Sequence, residues 1–129
     1  MQDFDIRQMI GQSSVMTASQ IELDEAIRVT HQKFPGRSFC IPGEWVWLDL
    51  EAPDLVVEEL NVEGKKPMML LVFDTLYDSS TSAKSQWFRT TPLVDFTDGM
   101  FFLTENKIYV LLGRGRRTSM TLSAAVRLF

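Results

Sequence analysis

The sequence predicts an α+β domain: a mostly antiparallel sheet of about five strands, one main N-terminal helix packed on it, and a short C-terminal helix. Three observations lead there. Leu23, Ala26, Ile27, Thr30 and Phe34 recur at spacings of three and four and form one apolar stripe, as a surface helix requires. Alternating or continuous apolar runs of strand length fill much of the remainder. Two of these runs, 100–105 and 108–112, flank Asn106-Lys107 and read as a β-hairpin near the C-terminus.

The elements follow in chain order. Residues 1–16 hold scattered apolar positions (Phe4, Ile6, Met9, Ile10) and then Gly11-Gln12-Ser13-Ser14, which reads as a short helical or flexible arm ahead of a single domain over 17–129. Ser19-Gln20-Ile21-Glu22 matches a capping box, and Pro35-Gly36 is a stop, so a helix is expected over about 20–33. A short apolar run at 38–41 precedes the turn pair Pro42-Gly43, and 44–51 alternates as a strand. Val46, Leu48 and Leu50 face one way there; Trp45, Trp47, Asp49 and Glu51 face the other. Pro53 suits the first turn of a helix, so a short acidic helix or turn is expected over 54–60, and 61–67 is a loop. The nearly continuous apolar run 68–76 has the pattern of a central strand covered on both faces. A Ser- and Thr-rich loop is expected at 78–85, a strand at 87–91 and a turn at Thr97-Asp98-Gly99. After the hairpin, Gly113-Arg114-Gly115-Arg116-Arg117 reads as a basic turn. A closing helix from about Thr121 aligns Leu122, Ala125, Val126 and Phe129.

Composition narrows the class. At 129 residues, 45% hydrophobic and 23% charged, the chain has the makeup of one globular domain. No apolar run approaches the roughly 20 residues that cross a bilayer, and the acidic start Met1-Gln2-Asp3-Phe4-Asp5 is unlike an export signal, so no membrane and a cytoplasmic setting are expected. One Cys and one His exclude a disulfide framework and a soft-ligand zinc site, and no cofactor is indicated.

Charge is distributed unevenly. All 17 acids and 8 of the 13 bases precede residue 106; the remaining five bases, with no acid, follow it. Between Glu44 and Glu63 there are seven acids and no base. Such a pattern gives either opposed charged faces or two segments that neutralise each other in the fold.

Two sites come forward. The Trp45, Trp47, Asp49, Glu51 face combines indoles with carboxylates and is a candidate partner-binding surface, although strand indoles more often pack in a core. The basic turn offers Arg114, Arg116 and Arg117 as phosphate or nucleic-acid contacts, with two glycines permitting close backbone approach; set against this are an acidic chain of pI near 4.9 and the alternative that the arginines pair with the acids of 44–63. No catalytic set emerges. His31 and Cys40 lack a supporting oxyanion loop, and Asp49, Glu51 and Asp74 are a scatter of acids in an acidic chain.

Phe39-Cys40-Ile41, Glu44-Trp45-Val46-Trp47-Leu48-Asp49, Thr91-Pro92-Leu93-Val94, Phe101-Phe102, Tyr109-Val110-Leu111-Leu112-Gly113 and Val126-Arg127-Leu128-Phe129 carry a resemblance over about the last two-thirds of the chain. On these residues it resembles a family of small uncharacterised bacterial proteins, found mainly in pseudomonads and their mobile elements. The resemblance implies a bacterial or phage cytoplasmic setting and supplies no catalytic residues. The function expected first is non-enzymatic binding of another protein with a basic surface, as an inhibitor or immunity-type protein would bind. The alternative is a nucleic-acid-associated protein acting through the arginines.

Overall fold

The computed structural model describes residues 13–80 and 87–127, and within them the chain is a mixed α/β fold: one curled sheet of eight strands with three helices. The strands are β1 (Ser14–Thr17), β2 (Phe39–Glu51), β3 (Met68–Asp78), β4 (Phe88–Arg89), β5 (Asp95–Thr97), β6 (Phe101–Leu103), β7 (Ile108–Val110) and β8 (Arg114–Thr121). The helices are α1 (Leu23–Lys33), α2 (Asp54–Val62) and α3 (Leu122–Val126). The expectation of about five strands and of a helix at the N-terminus is corrected, because Ser14–Thr17 already forms a strand and α1 follows it. Positions 1–12 of the expected arm, 81–85 of the expected loop, and 128–129 of the closing helix lie outside the described residues.

Strand β2 is the spine. Along one edge it pairs antiparallel with β3, from Cys40↔Asp78 to Asp49↔Met68. Its other edge is shared by two consecutive strands, both parallel to it: β7 beside Phe39 and Cys40, and β8 beside Val46–Glu51. The remaining pairings, β1 with β8, β3 with β4, and β5–β6–β7, are antiparallel. Pro42-Gly43 therefore does not end a strand. It sits within β2, where the register against β3 shifts between Ile41 and Trp45, as expected when a residue without an N–H enters a ladder.

Between β7 and β8 the chain steps off the ladder, and its backbone groups find other partners. Leu111 N–H donates to Met100 C=O at 2.8 Å, Gly113 N–H donates to Ser19 C=O at 2.8 Å, and Ala18 N–H donates to Gly113 C=O at 2.8 Å. The Trp45 indole N–H donates to Leu112 C=O at 3.3 Å. Gly113 takes φ +65°, a conformation that side-chain-bearing residues rarely adopt. The expected basic turn is thus a single-residue kink followed by strand β8.

The hairpin β6–β7 is present, but its register, Leu103↔Ile108, leaves four residues in the loop rather than two. Thr104 closes that loop: its hydroxyl donates to Lys107 C=O at 2.7 Å and accepts from Lys107 N–H at 3.0 Å. Lys at the second turn position disfavours the tighter alternative.

The alternation of β2 divides the core. Trp45 and Trp47 lie inside the curl with Leu70, Phe102, Tyr109 and Leu111. Val46, Leu48 and Leu50 pack with Leu71 and Met120 under Ala125 of α3. Phe39, Ile41, Phe101, Ile108 and Val110 pack under Ala26 of α1. The curl brings the far ends of the sheet together: Phe96 of β5 meets Trp47 at 5.0 Å between ring centroids, and Lys66, just before β3, bridges to Leu93.

Helix α1 begins at Leu23, later than the capping box implies, because Ser19 bridges to Leu112 and Glu22 occupies the N-cap without a side-chain cap bond. Helix α2 starts after Pro53 at its N-cap. Helix α3 is capped by the Thr121 hydroxyl, which accepts from Ala124 N–H at 3.2 Å.

Candidate functional site

The parallel register of β2 and β8 sets Trp47 beside Arg117 and Asp49 beside Ser119, so the two candidate sites of the sequence meet at one place. Arg117 donates through Nε to Asp49 Oδ2 at 2.8 Å and through Nη2 to Asp49 Oδ1 at 2.9 Å. Its guanidinium lies 4.9 Å from the Trp47 ring centroid, and the Trp47 indole N–H donates to Asp49 Oδ1 at 3.2 Å. One carboxylate thus receives a bidentate cation and an indole while the same cation stacks on that indole. The cluster leaves Arg117 engaged.

The indole part of the expected surface is corrected. Trp45 is 1% exposed and Trp47 3%, since the inside of the curl is a core face. Asp49 remains half-buried under Arg117, and Glu51, at the end of β2, is exposed. The glycine argument for phosphate changes with it. A Cβ on Gly115 would fall on the indole ring of Trp45, far inside van der Waals contact, so Gly115 makes room for a core tryptophan.

Arg114 and Arg116 point to the opposite face of β8 from Arg117 and are exposed. Arg116 donates to the hydroxyl and the carbonyl of Ser13. Three guanidiniums therefore do not converge. Lys107, another base of the C-terminal segment, meets Asp78 at 2.7 Å. Burial alone would push the Asp78 carboxyl up, but Lys107 and the N–H and hydroxyl of Ser80 hold it below its ordinary value.

The remaining candidates are kept apart by the fold. His31, exposed on α1, meets the Phe39 ring edge-on, whereas Cys40, the next residue of β2, points into the curl. Asp74 pairs with Glu44, five residues and roughly 17 Å along the ladder from Asp49. Among the described residues no group of three or more His, Cys, Asp or Glu could hold a metal ion. Tyr109 has its phenol pushed up to about 12, mainly by burial, and stays neutral at ordinary pH.

The acidic segment holds a surface that the sequence reading divided differently. Helix α2 has no buried residue. Val56, Val57 and Leu60 are half-buried, while Leu55 is 71% and Val62 87% exposed. Leu55, Glu58, Glu59 and Val62 stand at i, i+3, i+4 and i+7, hence on one helical face, and that face is the one turned outward. Among the described residues Glu51, Asp54, Glu58 and Glu59 form no ion pair; Glu63 meets Lys65, which also meets Glu105. The spacing of these four residues was available in the sequence, but the tryptophans of β2 drew the stronger signal.

Residues 17–127 match the domain of unknown function DUF6957. The chain belongs to that family. The match takes in the spine, both parallel neighbours, α2 and α3, so the Arg117–Asp49–Trp47 cluster and the acidic helix are all parts of the DUF6957 domain. No curated protein and no solved structure matches the chain. No helix among the described residues is long and apolar enough to cross a membrane.

Proposed function

We propose that this DUF6957 protein is a non-enzymatic protein-binding module that engages a basic partner through the outer face of α2. The observation that carries the reading is the exposure of Leu55 and Val62 on one helical face, with Glu58 and Glu59 between them and Asp54 and Glu51 nearby, none of the four acids ion-paired among the described residues. Unpaired like charges steer a cation-rich partner and raise its encounter rate, and the aliphatic side chains supply the apolar contact that holds it. The surface replaces the buried indoles as the apolar component of the interface and keeps Glu51 from the original set.

The resemblance to small bacterial and mobile-element proteins supports a bacterial or phage cytoplasmic setting and an inhibitor or immunity-type role. Phosphate contact through Arg114, Arg116 and Arg117 is not adopted, because Arg117 is held by Asp49 and Gly115 is accounted for by Trp45.

Affinity capture with the wild type and a Leu55→Lys/Val62→Lys variant side by side tests the proposal. The expected result is a basic protein retained by the wild type, released by salt and absent from the variant. Capture that is indifferent to both substitutions, or retention of nucleic acid alone, overturns it.

A further inference from the structure

Strand β1 lies at an edge of the sheet, with β8 as its ladder neighbour on one side. Ala18 N–H donates to Gly113 C=O at 2.8 Å, and antiparallel alternation from that bond turns the backbone groups of Met16 and Ser14 toward β8. The N–H and C=O groups of Val15 and Thr17 therefore point the other way, off the sheet. Among the described residues no hydrogen bond reaches them there. Edge strands are commonly blunted by Pro or Lys, and Ser14-Val15-Met16-Thr17 contains neither. Val15 is 60% exposed and Thr17 is exposed, so solvent reaches the strand. The other strands with one ladder neighbour, β4 and β5, have only two and three residues.

The face beside this edge carries positive charge. Arg114 stands opposite Thr17 and Arg116 opposite Val15, and both arginines are exposed. Arg114 makes no hydrogen bond or ion pair among the described residues, and Arg116 meets the hydroxyl and carbonyl of Ser13 but no carboxylate. A strand added beyond β1 would run about 10 Å from β8, close enough for its outward carboxylates to reach both arginines across Val15 and Thr17. A second copy of β1 fits poorly, because antiparallel self-pairing would bring two arginines from each copy onto one sheet face. A phosphate fits poorly as well, since its ionised oxygens only accept hydrogen bonds and the edge presents carbonyls between its N–H groups.

We infer that the free edge of β1 takes an extended acidic segment of a partner protein as an added strand, with backbone bonds to Val15 and Thr17 and alternate carboxylates on Arg114 and Arg116. Strand addition draws affinity from main-chain bonds and selectivity from alternate side chains. The surface lies on a different element from α2 and prefers the opposite charge, so it does not rest on the reading of α2.

The test uses end-capped heptapeptides of alternating Thr and Glu, with Lys in place of Glu as the control. They are titrated at low salt into the full chain and read at the Val15 and Thr17 amides by NMR. The Glu peptide is expected to shift both amides, to slow their hydrogen exchange, and to bind about tenfold tighter at this edge than the Lys peptide. Arg114→Glu/Arg116→Glu should invert that preference. Val15→Pro removes an edge N–H that β8 does not use, and should abolish binding of the Glu peptide. Equal binding of the two peptides, or amide shifts without slowed exchange, would overturn the inference. Slowed exchange that rises with protein concentration alone would overturn it too, by giving the edge to a second copy. The comparison of the two peptides on the wild type decides the matter even if Val15→Pro does not fold.

Discussion

At the residue scale, the fold depends on a few close approaches that no other residue type would permit. Gly115 is the clearest: the Trp45 indole occupies the space where its side chain would stand. Gly115→Ala must displace an indole that is 1% exposed and bonded to Leu112 C=O, and overpacking of that kind costs about 1–3 kcal/mol. A lower urea midpoint with an unchanged slope is the expected result; an unchanged midpoint would show that Trp45 has room to move. Charge at single residues predicts a pH effect as well. The Asp78 carboxyl lies below its ordinary value of 3.8 because Lys107 and Ser80 favour its charged form over the opposing effect of burial. A folded value below the unfolded one means that the contribution is complete above the unfolded value and is lost as pH falls through the lowered folded one. Asp78→Asn should therefore cost about 1–3 kcal/mol at pH 7 and make the acid side of the stability profile less steep. If wild type and variant lose stability in parallel below pH 4, the pair contributes nothing to acid sensitivity.

At the scale of elements, α2 stands out for how little of it the core holds. Since Leu55 and Val62 are exposed, Leu55→Lys and Val62→Lys should each change stability by no more than about 0.5 kcal/mol while abolishing partner capture. A large loss of stability instead would assign α2 to the core. The sequence made this segment legible through Pro53 and its acids, and α3 through its start near Thr121 and the packing of Leu122 and Ala125 on the sheet, whereas Val126, expected on the same face, is exposed. It made the strand spans legible too, but misplaced their breaks for one physical reason. Pro42-Gly43 and Gly113-to-Arg117 look like turns because glycine and proline punctuate chains locally. In the fold, Gly43 lies under the Asp74 carboxylate and Gly115 under Trp45, so both glycines mark side chains crossing a continuing strand. A glycine that answers a distant side chain is indistinguishable, in sequence, from one that answers its own backbone. The candidate site was misread in the same way: two tryptophans alternating with acids fit an exposed face and a core face equally well, and only the curl of the sheet decides between them.

At the scale of the whole molecule, the least legible feature was the company β2 keeps. Apolar alternation shows that a residue is in a strand but carries no information on which strand lies beside it, and parallel neighbours from 70 residues away leave no turn signal. The same topology predicts how the chain folds. Ser14 pairs with Arg117 across 103 residues, and β2 meets β8 only after the intervening chain has closed on itself, whereas Asp49↔Met68 joins β2 to β3 across α2 alone. Closing the longer loops costs more chain entropy before any contact is returned. Folding should accordingly take milliseconds to seconds, read by stopped-flow fluorescence of the buried tryptophans, and the β2–β3 pair should form ahead of the β2–β8 ladder. Val72→Ala in β3 would then slow folding with a φ-value above about 0.5, while Met120→Ala in β8 would act mainly by speeding unfolding. The reverse order would mean that the parallel ladder, and with it the Arg117–Asp49–Trp47 cluster, forms before the β2–β3 pair.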